Sequence, residues 1–246
     1  MARILYLEPA STDLFAAHYQ QLLDGAASPG TEVDVRHLPV PGASPAPSFW
    51  NAGYQLEGEM FKNVKEAEEE GYSAVIIGCS ADPGLDIAKR LAKIPVVGPL
   101  EAGLHTGSML AQRMAIITPG PLAEVRWLED RARLYGLRHK ITSIRQVDTG
   151  RPSVFELGKR VAAEPGAVRE IVLNSFRSAV TVPGQAADHI RQAIEEEGIG
   201  AVYFSCTCFS GMLGALAREF KIPLLDPVVV ALRAAEVLVK ATERRE

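Results

Sequence analysis

The sequence is poor in the features that mark several broad classes of protein. Its 246 residues include three cysteines, an odd and small number that makes no disulfide framework and points to a reduced, cytoplasmic protein. No excess of basic charge is present: 26 Lys and Arg against 30 Asp and Glu leave a formal net charge of −4. That balance gives no footprint for nucleic acid or for an anionic membrane. Long apolar runs are also missing. The opening MARILYLEPA holds one arginine and a short strand-like run, too brief for a signal-peptide core, and nothing later approaches a membrane span. The partner expected is a small-molecule substrate, with no nucleic acid and no membrane; a homo-oligomer is compatible with this reading. Aromatic residues make up 7% of the chain, yet 47% is apolar and 23% charged, the balance of a globular α/β protein long enough to bury a substantial core.

What the sequence does contain is a phrase said twice. Residues 68–85 read EEEGYSAVIIGCSADPGL and residues 195–212 read EEEGIGAVYFSCTCFSGM. The acidic triplets coincide, as do Gly71 with Gly198, Ala74-Val75 with Ala201-Val202, Cys79 with Cys206 and Gly84 with Gly211. Each phrase is followed by a helix-like segment, LDIAKRLA (85–92) or MLGALAREF (212–220), then KIP, then VVGP or LLDP, then a further helix-like run. Upstream, Arg3-Ile4-Leu5-Tyr6-Leu7-Glu8-Pro9 resembles Arg113-Met114-Ala115-Ile116-Ile117-Thr118-Pro119. Strands alternating with helical patterns imply parallel βαβ units. The expected fold is α/β, with two pseudo-symmetric parallel-sheet lobes and the active-site cleft between them. The first lobe is expected to be discontinuous, residues 1–99 plus 227–246, and the second to span 100–226. Two stretches break the symmetry, the Pro-rich loop LPVPGASPAPSFW (38–50) and residues 145–185; each reads as a lid, a subunit contact or a tolerated insertion.

VIIGC and VYFSC put Cys79 and Cys206 at the carboxyl ends of strands, where parallel α/β sheets place their ligands. The following residues, Ser80-Ala81 and Thr207-Cys208, are small or hydroxylic, so backbone amides there can turn toward a ligand's oxygen, and the same field favours thiolate. Facing the lobes across a pseudo-twofold would aim the two sulfurs at one cleft. That suits removal of a proton from one face of a carbon and its return to the other, with one sulfur as thiolate and its counterpart as thiol. Against this, a cysteine ending an apolar strand is commonly a small buried hydrophobe, and duplication could have copied a structural one.

With these motifs in view, the chain resembles the hydantoin racemase branch of the aspartate/glutamate racemase superfamily. The resemblance lies in GCSADPGLD (78–86), IPVVGPLEAGLH (94–105), MAIIT (114–118) and SCTCFSGM followed by IPLLDPVVVAL. It implies a cofactor-independent racemase or epimerase with Cys79 and Cys206 as the acid/base pair and no metal. It also implies substrate contacts from Ser80, Ala81, Thr207 and Cys208, from Thr118 at the end of the MAIIT strand, and from Ser11 and Thr12 in the N-terminal loop. That loop is commonly Asn-Pro-Asn-Thr in the family; here it reads Glu8-Pro9-Ala10-Ser11-Thr12. A 5-substituted hydantoin or an amino-acid-type compound leads the substrate list.

Other activities on such a fold stay open at this point: a maleate-isomerase-like cis–trans isomerase, an arylmalonate-decarboxylase-like enzyme, or a binding protein without a reaction. Asp82, three residues past Cys79, reads either as a group that tunes the thiol or holds a ligand amine, or as a turn or cap residue. Cys208 could pair with Cys206, although the spacing strains a disulfide and suits no zinc site. His105, Trp50 and Tyr54 read as packing residues or as outlying parts of a pocket.

Overall fold

A computed structural model describes residues 1–9, 15–38, 53–119, 122–148 and 182–242. By internal contacts it falls into two compact units. Among the described residues, one draws on Met1–Pro99 and Ala231–Glu246, the other on Leu100–Ser153 and Glu170–Val230.

The first unit is built on β1 (Ala2–Glu8), α1 (Ala16–Ala26), β2 (Thr31–His37), α2 (Gly53–Glu69), β3 (Ala74–Ile77), α3 (Leu85–Leu91) and β4 (Val96–Val97). Its sheet has the order β2-β1-β3-β4, and every pairing is parallel. Ile4, Leu5, Tyr6 and Leu7 are fully buried, as are Val75, Ile76 and Ile77. Strands covered on both faces carry continuous apolar runs, which is why RILYL and AVII show no polar alternation. Side chains pointing to opposite faces meet different helices. Leu5, Leu7, Val75 and Ile77 pack with Met60 and Val64 of α2 and Leu85 and Ala88 of α3. Tyr6, on the other face, stacks at 5.3 Å on Tyr19 of α1.

The second unit repeats the plan. Helix α4 (Pro99–Leu110) leads into β5 (Met114–Thr118), α5 (Leu122–Leu134), β6 (Ile141–Gln146), α6 (Val182–Glu197), β7 (Ala201–Phe204), α7 (Gly214–Glu219) and β8 (Leu224–Leu225), and α8 (Pro227–Thr242) follows. The sheet order is β6-β5-β7-β8, again all parallel. Ala115, Ile117, Val202 and Phe204 face α6 and α7 through Ala186, Ile190 and Leu216. Ile116 and Tyr203 face Leu100 and Leu104 of α4 and Leu128 and Ala132 of α5. Helix α4 lies so close to the sheet that a Cβ on Gly103 would collide with the Tyr203 ring. The two four-stranded parallel α/β sheets therefore share strand order and layer plan, as the sequence repeat implies. No helix of the described residues is long and apolar enough to cross a membrane.

Hydrogen-bonded carboxylates fasten helices to each unit. Glu197, at the end of α6, accepts from Ser143 Oγ at 2.7 Å, from Arg145 at 2.6 Å and from the Thr142 hydroxyl. Helix α8 returns to the first unit through Glu236, which is 5% exposed. Its carboxylate accepts from the Ser28 amide at 2.7 Å, the Ser28 hydroxyl at 2.9 Å and Arg233 at 2.8 Å. Burial opposes the charged form of Glu236, but these donors outweigh it and hold the carboxyl below its ordinary value. A carboxyl depressed in the folded state stabilises fully above its unfolded pKa and loses that contribution as pH falls through the folded one. Glu236→Gln is expected to lower stability at neutral pH by about 1–3 kcal/mol. The gap between variant and parent should close as pH drops below about 4, and denaturant unfolding across pH measures it.

Candidate active site

Each candidate cysteine stands one residue past the last ladder hydrogen bond of its sheet's third strand. After β3, the Gly78 amide donates to the Leu7 carbonyl at 2.7 Å, and the chain then leaves the sheet at Cys79. A Cβ on Gly78 would lie 2.5 Å from Leu7 O and 2.6 Å from Tyr6 Cε1, so only glycine fits. After β7, the Ser205 amide donates to the Ile117 carbonyl at 2.9 Å, and the chain leaves at Cys206. The ladder neighbour there is Ile116 in place of Tyr6, and a side chain is accommodated. Ser205 is 4% exposed and its Oγ has no hydrogen-bond partner among the described residues, so an unsatisfied hydroxyl directly precedes Cys206.

Both loops then close by the same bond. The Asp82 amide donates to the Cys79 carbonyl at 3.0 Å and the Phe209 amide to the Cys206 carbonyl at 3.0 Å. In the first loop Asp82 adopts φ 48°, a left-handed conformation that Asp and Asn tolerate better than most residues. In the second, Thr207–Phe209 make one 3-10 turn, and Phe209 packs edge-on against Phe204 at 5.3 Å. None of the three cysteines is in a disulfide, Cys206 and Cys208 included, and all three are half-buried.

The remaining sequence candidates fall in different settings. Ser80 and Ala81 are buried, 4% and 8% exposed, whereas Thr207 and Cys208 are half-buried. Thr118 is fully buried at the end of β5, one residue past the Ile117 carbonyl that holds Ser205, and its hydroxyl donates to Glu124 Oε1 at 2.6 Å. Within the second unit, then, Thr118 and Cys206 end neighbouring strands. Glu8 has the corresponding place at the end of β1 beside the Cys79 strand and is 2% exposed. Ser11, Thr12 and Trp50 lie outside the described residues, as do all of the Pro-rich loop but Leu38 and most of the 145–185 stretch; the side chain of Tyr54 also lies outside them. His105 is exposed on α4. The described residues hold no group of three or more His, Cys, Asp or Glu arranged for a metal ion.

Sequence reasoning missed Glu124, Ser210 and Asp226. The last two build the second loop's foundation: Asp226 Oδ1 accepts from Ser210 Oγ at 2.7 Å and Oδ2 from the Gly211 amide at 3.0 Å. The same carboxylate caps α8 by accepting from the Val228 and Val229 amides at 3.0 and 3.2 Å. A signal was present, since Asp before Pro at the start of an apolar helix is a capping pattern.

Comparison with known proteins agrees with this architecture. A family model described as Asp/Glu/Hydantoin racemase matches residues 4–235. A hydantoin racemase from Pseudomonas sp. (strain NS671) is 26% identical over 237 residues, covering 96% of this chain and 86% of that protein. One from Paenarthrobacter aurescens is 29% identical over 181 residues, 73% of this chain and 67% of the relative. Among solved structures, allantoin racemase from Klebsiella pneumoniae superposes with a TM-score of 0.75 at 21% identity, covering 98% of this chain and 89% of that one.

The rigid seat of Cys79 can be tested at its neighbour. Gly78→Ala is expected to cost about 1–3 kcal/mol through overpacking against Tyr6 and Leu7, read as a lower midpoint in denaturant unfolding. An unchanged midpoint would contradict the close approach of β1 and β3.

Proposed function

The chain belongs to the Asp/Glu/Hydantoin racemase family, and from that premise we propose that it racemises a 5-substituted hydantoin or an amino-acid-type compound with Cys79 and Cys206 as the acid/base pair. The observation that carries the reading is the matched placement of the two cysteines. Each follows the final ladder bond of an equivalent strand, and each has its carbonyl held by the amide three residues on. A thiol that served only as core filler would not need so fixed an exit from the sheet.

In a hydantoin, the C5–H bond lies next to the C4 carbonyl. The thiolate of one cysteine takes the C5 proton, and the electron pair of that bond delocalises onto the carbonyl oxygen as an enolate. The thiol of the other cysteine delivers its proton to the opposite face of C5. The enantiomer results, and the thiol and thiolate have exchanged roles. Acid–base assistance of this kind contributes about 10²–10⁴-fold, and donors aimed at the enolate oxygen add to it. Nothing in the step requires a cofactor. The half-buried Thr207 and Cys208, the buried Thr118, and Ser80 and Ala81 are proposed to contact the substrate, with Ser11 and Thr12 completing the set. The similarity to relatives named hydantoin racemases supports placing 5-substituted hydantoins ahead of free amino acids in this reading.

Proton NMR in D₂O tests this directly. With a panel of 5-substituted hydantoins, allantoin and free amino acids, the protein is expected to wash out the proton on the stereogenic carbon of at least one compound. Cys79→Ser and Cys206→Ser should each cut racemisation of that compound, followed by chiral chromatography, by about 10²-fold or more. Racemisation lost in only one variant would favour a one-cysteine reaction, and undiminished racemisation in both would refute the acid/base assignment.

A further inference from the structure

Each cysteine loop meets the start of a following helix at a carboxylate, and the two carboxylates come from opposite sides of that junction. In the second unit, the carboxylate belongs to Asp226, the residue before the proline that opens α8, and the loop offers the Ser210 hydroxyl and the Gly211 amide. The repeat equates Asp226 of LLDP with Gly98 of VVGP, so the first unit has no side chain there. Its carboxylate comes from the loop. Asp82 is fully buried, and a Cβ placed on Gly98 would fall 2.7 Å from Asp82 Oδ2 and closer still to Oδ1 and Cγ. The backbone of Gly98 is not left-handed, so what excludes a side chain at 98 is the Asp82 carboxylate and not conformation. The left-handed backbone of Asp82 is held in the position that turns its side chain to this spot.

We propose that Asp82 is a positioning residue for Cys79, as Asp226 is for Cys206, each carboxylate locking its own cysteine loop to the start of the helix after the next strand. Lone Asp82 on sequence reads as a turn residue or a group acting on the thiol; the Gly98 contact makes it the counterpart of Asp226. The pattern explains why the residue before the helix-opening proline is Gly98 in one motif and Asp226 in the other. Either unit needs one carboxylate at the junction, and a second would meet the first in a buried space. The catalytic consequence of this assignment rests on the acid/base reading of Cys79; the anchoring itself does not.

Two readouts on the full chain separate those statements. Peptide-resolved iodoacetamide labelling reports each thiol without any substrate. Asp82→Asn, which keeps shape and tolerates the left-handed backbone, is expected to change the Cys79 labelling rate by about 5-fold or more while Cys206 stays within about 2-fold; Asp226→Asn should do the reverse. Placing Asp at 98 alone (Gly98→Asp) should disrupt the first loop, and the double variant D82G/G98D, which returns a single carboxylate to the junction from the helix side, should bring Cys79 labelling back toward the parent. On a compound the parent exchanges, Asp82→Asn should lower kcat by about 10–100-fold with KM within about 3-fold, as misplacement of a reacting group does. Equal effects on both thiols, or a double variant no better than Gly98→Asp, would overturn the proposal. If labelling follows the expected pattern but Cys79→Ser leaves racemisation intact, the anchor stands and the acid/base reading falls.

Discussion

The bond on which the rest of the site depends is the last rung of each ladder, from Gly78 to the Leu7 carbonyl and from Ser205 to the Ile117 carbonyl. Beyond that rung the backbone is no longer dictated by the sheet, and the following residue is the cysteine. A parallel sheet buried on both faces is among the stiffest elements a domain of this size can supply. Setting the thiol one residue beyond it fixes the Cα by the sheet while leaving the side chain half-buried, reachable by solvent and by a ligand. The loop then has to be stopped from drifting. In both loops the carbonyl of the cysteine is held from three residues ahead, and apolar residues such as Phe209 and Leu85 pin the loop to the core. In the second, the Asp226 carboxylate also ties it to the end of β8.

Much of this was legible in the sequence because the relevant forces act locally or repeat. The apolar runs RILYL, AVII, MAIIT and AVYF announce strands buried on both faces, and the recurrence of EEEG, Cys and KIP announces that one unit was built twice. The place of each cysteine at a strand end follows from those two facts. Less legible was anything that depends on which side chain fills a shared space. Gly98 looks like an ordinary turn glycine until the Asp82 carboxylate is seen where its Cβ would be. Tyr6 and Gly78 likewise form one unit of packing although they sit on different strands. The tie between Ser28 and Glu236 joins opposite ends of the chain, and no periodicity could have found it.

The duplicated plan is not duplicated chemistry in every respect. At the ends of the first strands, Glu8 occupies in its unit the position equivalent to Thr118 in the other, and Thr118 donates to Glu124. Ser80 and Ala81 are buried where Thr207 and Cys208 are half-buried. A substrate with one reacting carbon and unlike groups around it has no twofold axis of its own. Under the proposed function, the two cysteine loops need to agree only in how each seats its sulfur. The pattern of agreement and difference follows that division: the cysteines and the bonds that seat them match, and the residues beside them do not.

That asymmetry is limited by thermodynamics under the racemase reading. Two enantiomers have equal free energy in solution, so the ratio of forward to reverse kcat/KM must be unity whatever the loops contain. Differences between Glu8 and Thr118, or between a buried Ser80 and a half-buried Thr207, can alter kcat and KM for each enantiomer only in compensating proportion. They can stabilise one bound enantiomer over the other, but the common transition state serves both directions. Selection for rate therefore acts on what the two units share, the seating of the sulfurs and the support of the enolate oxygen. The flanking residues remain free to diverge with the substrate's side chain.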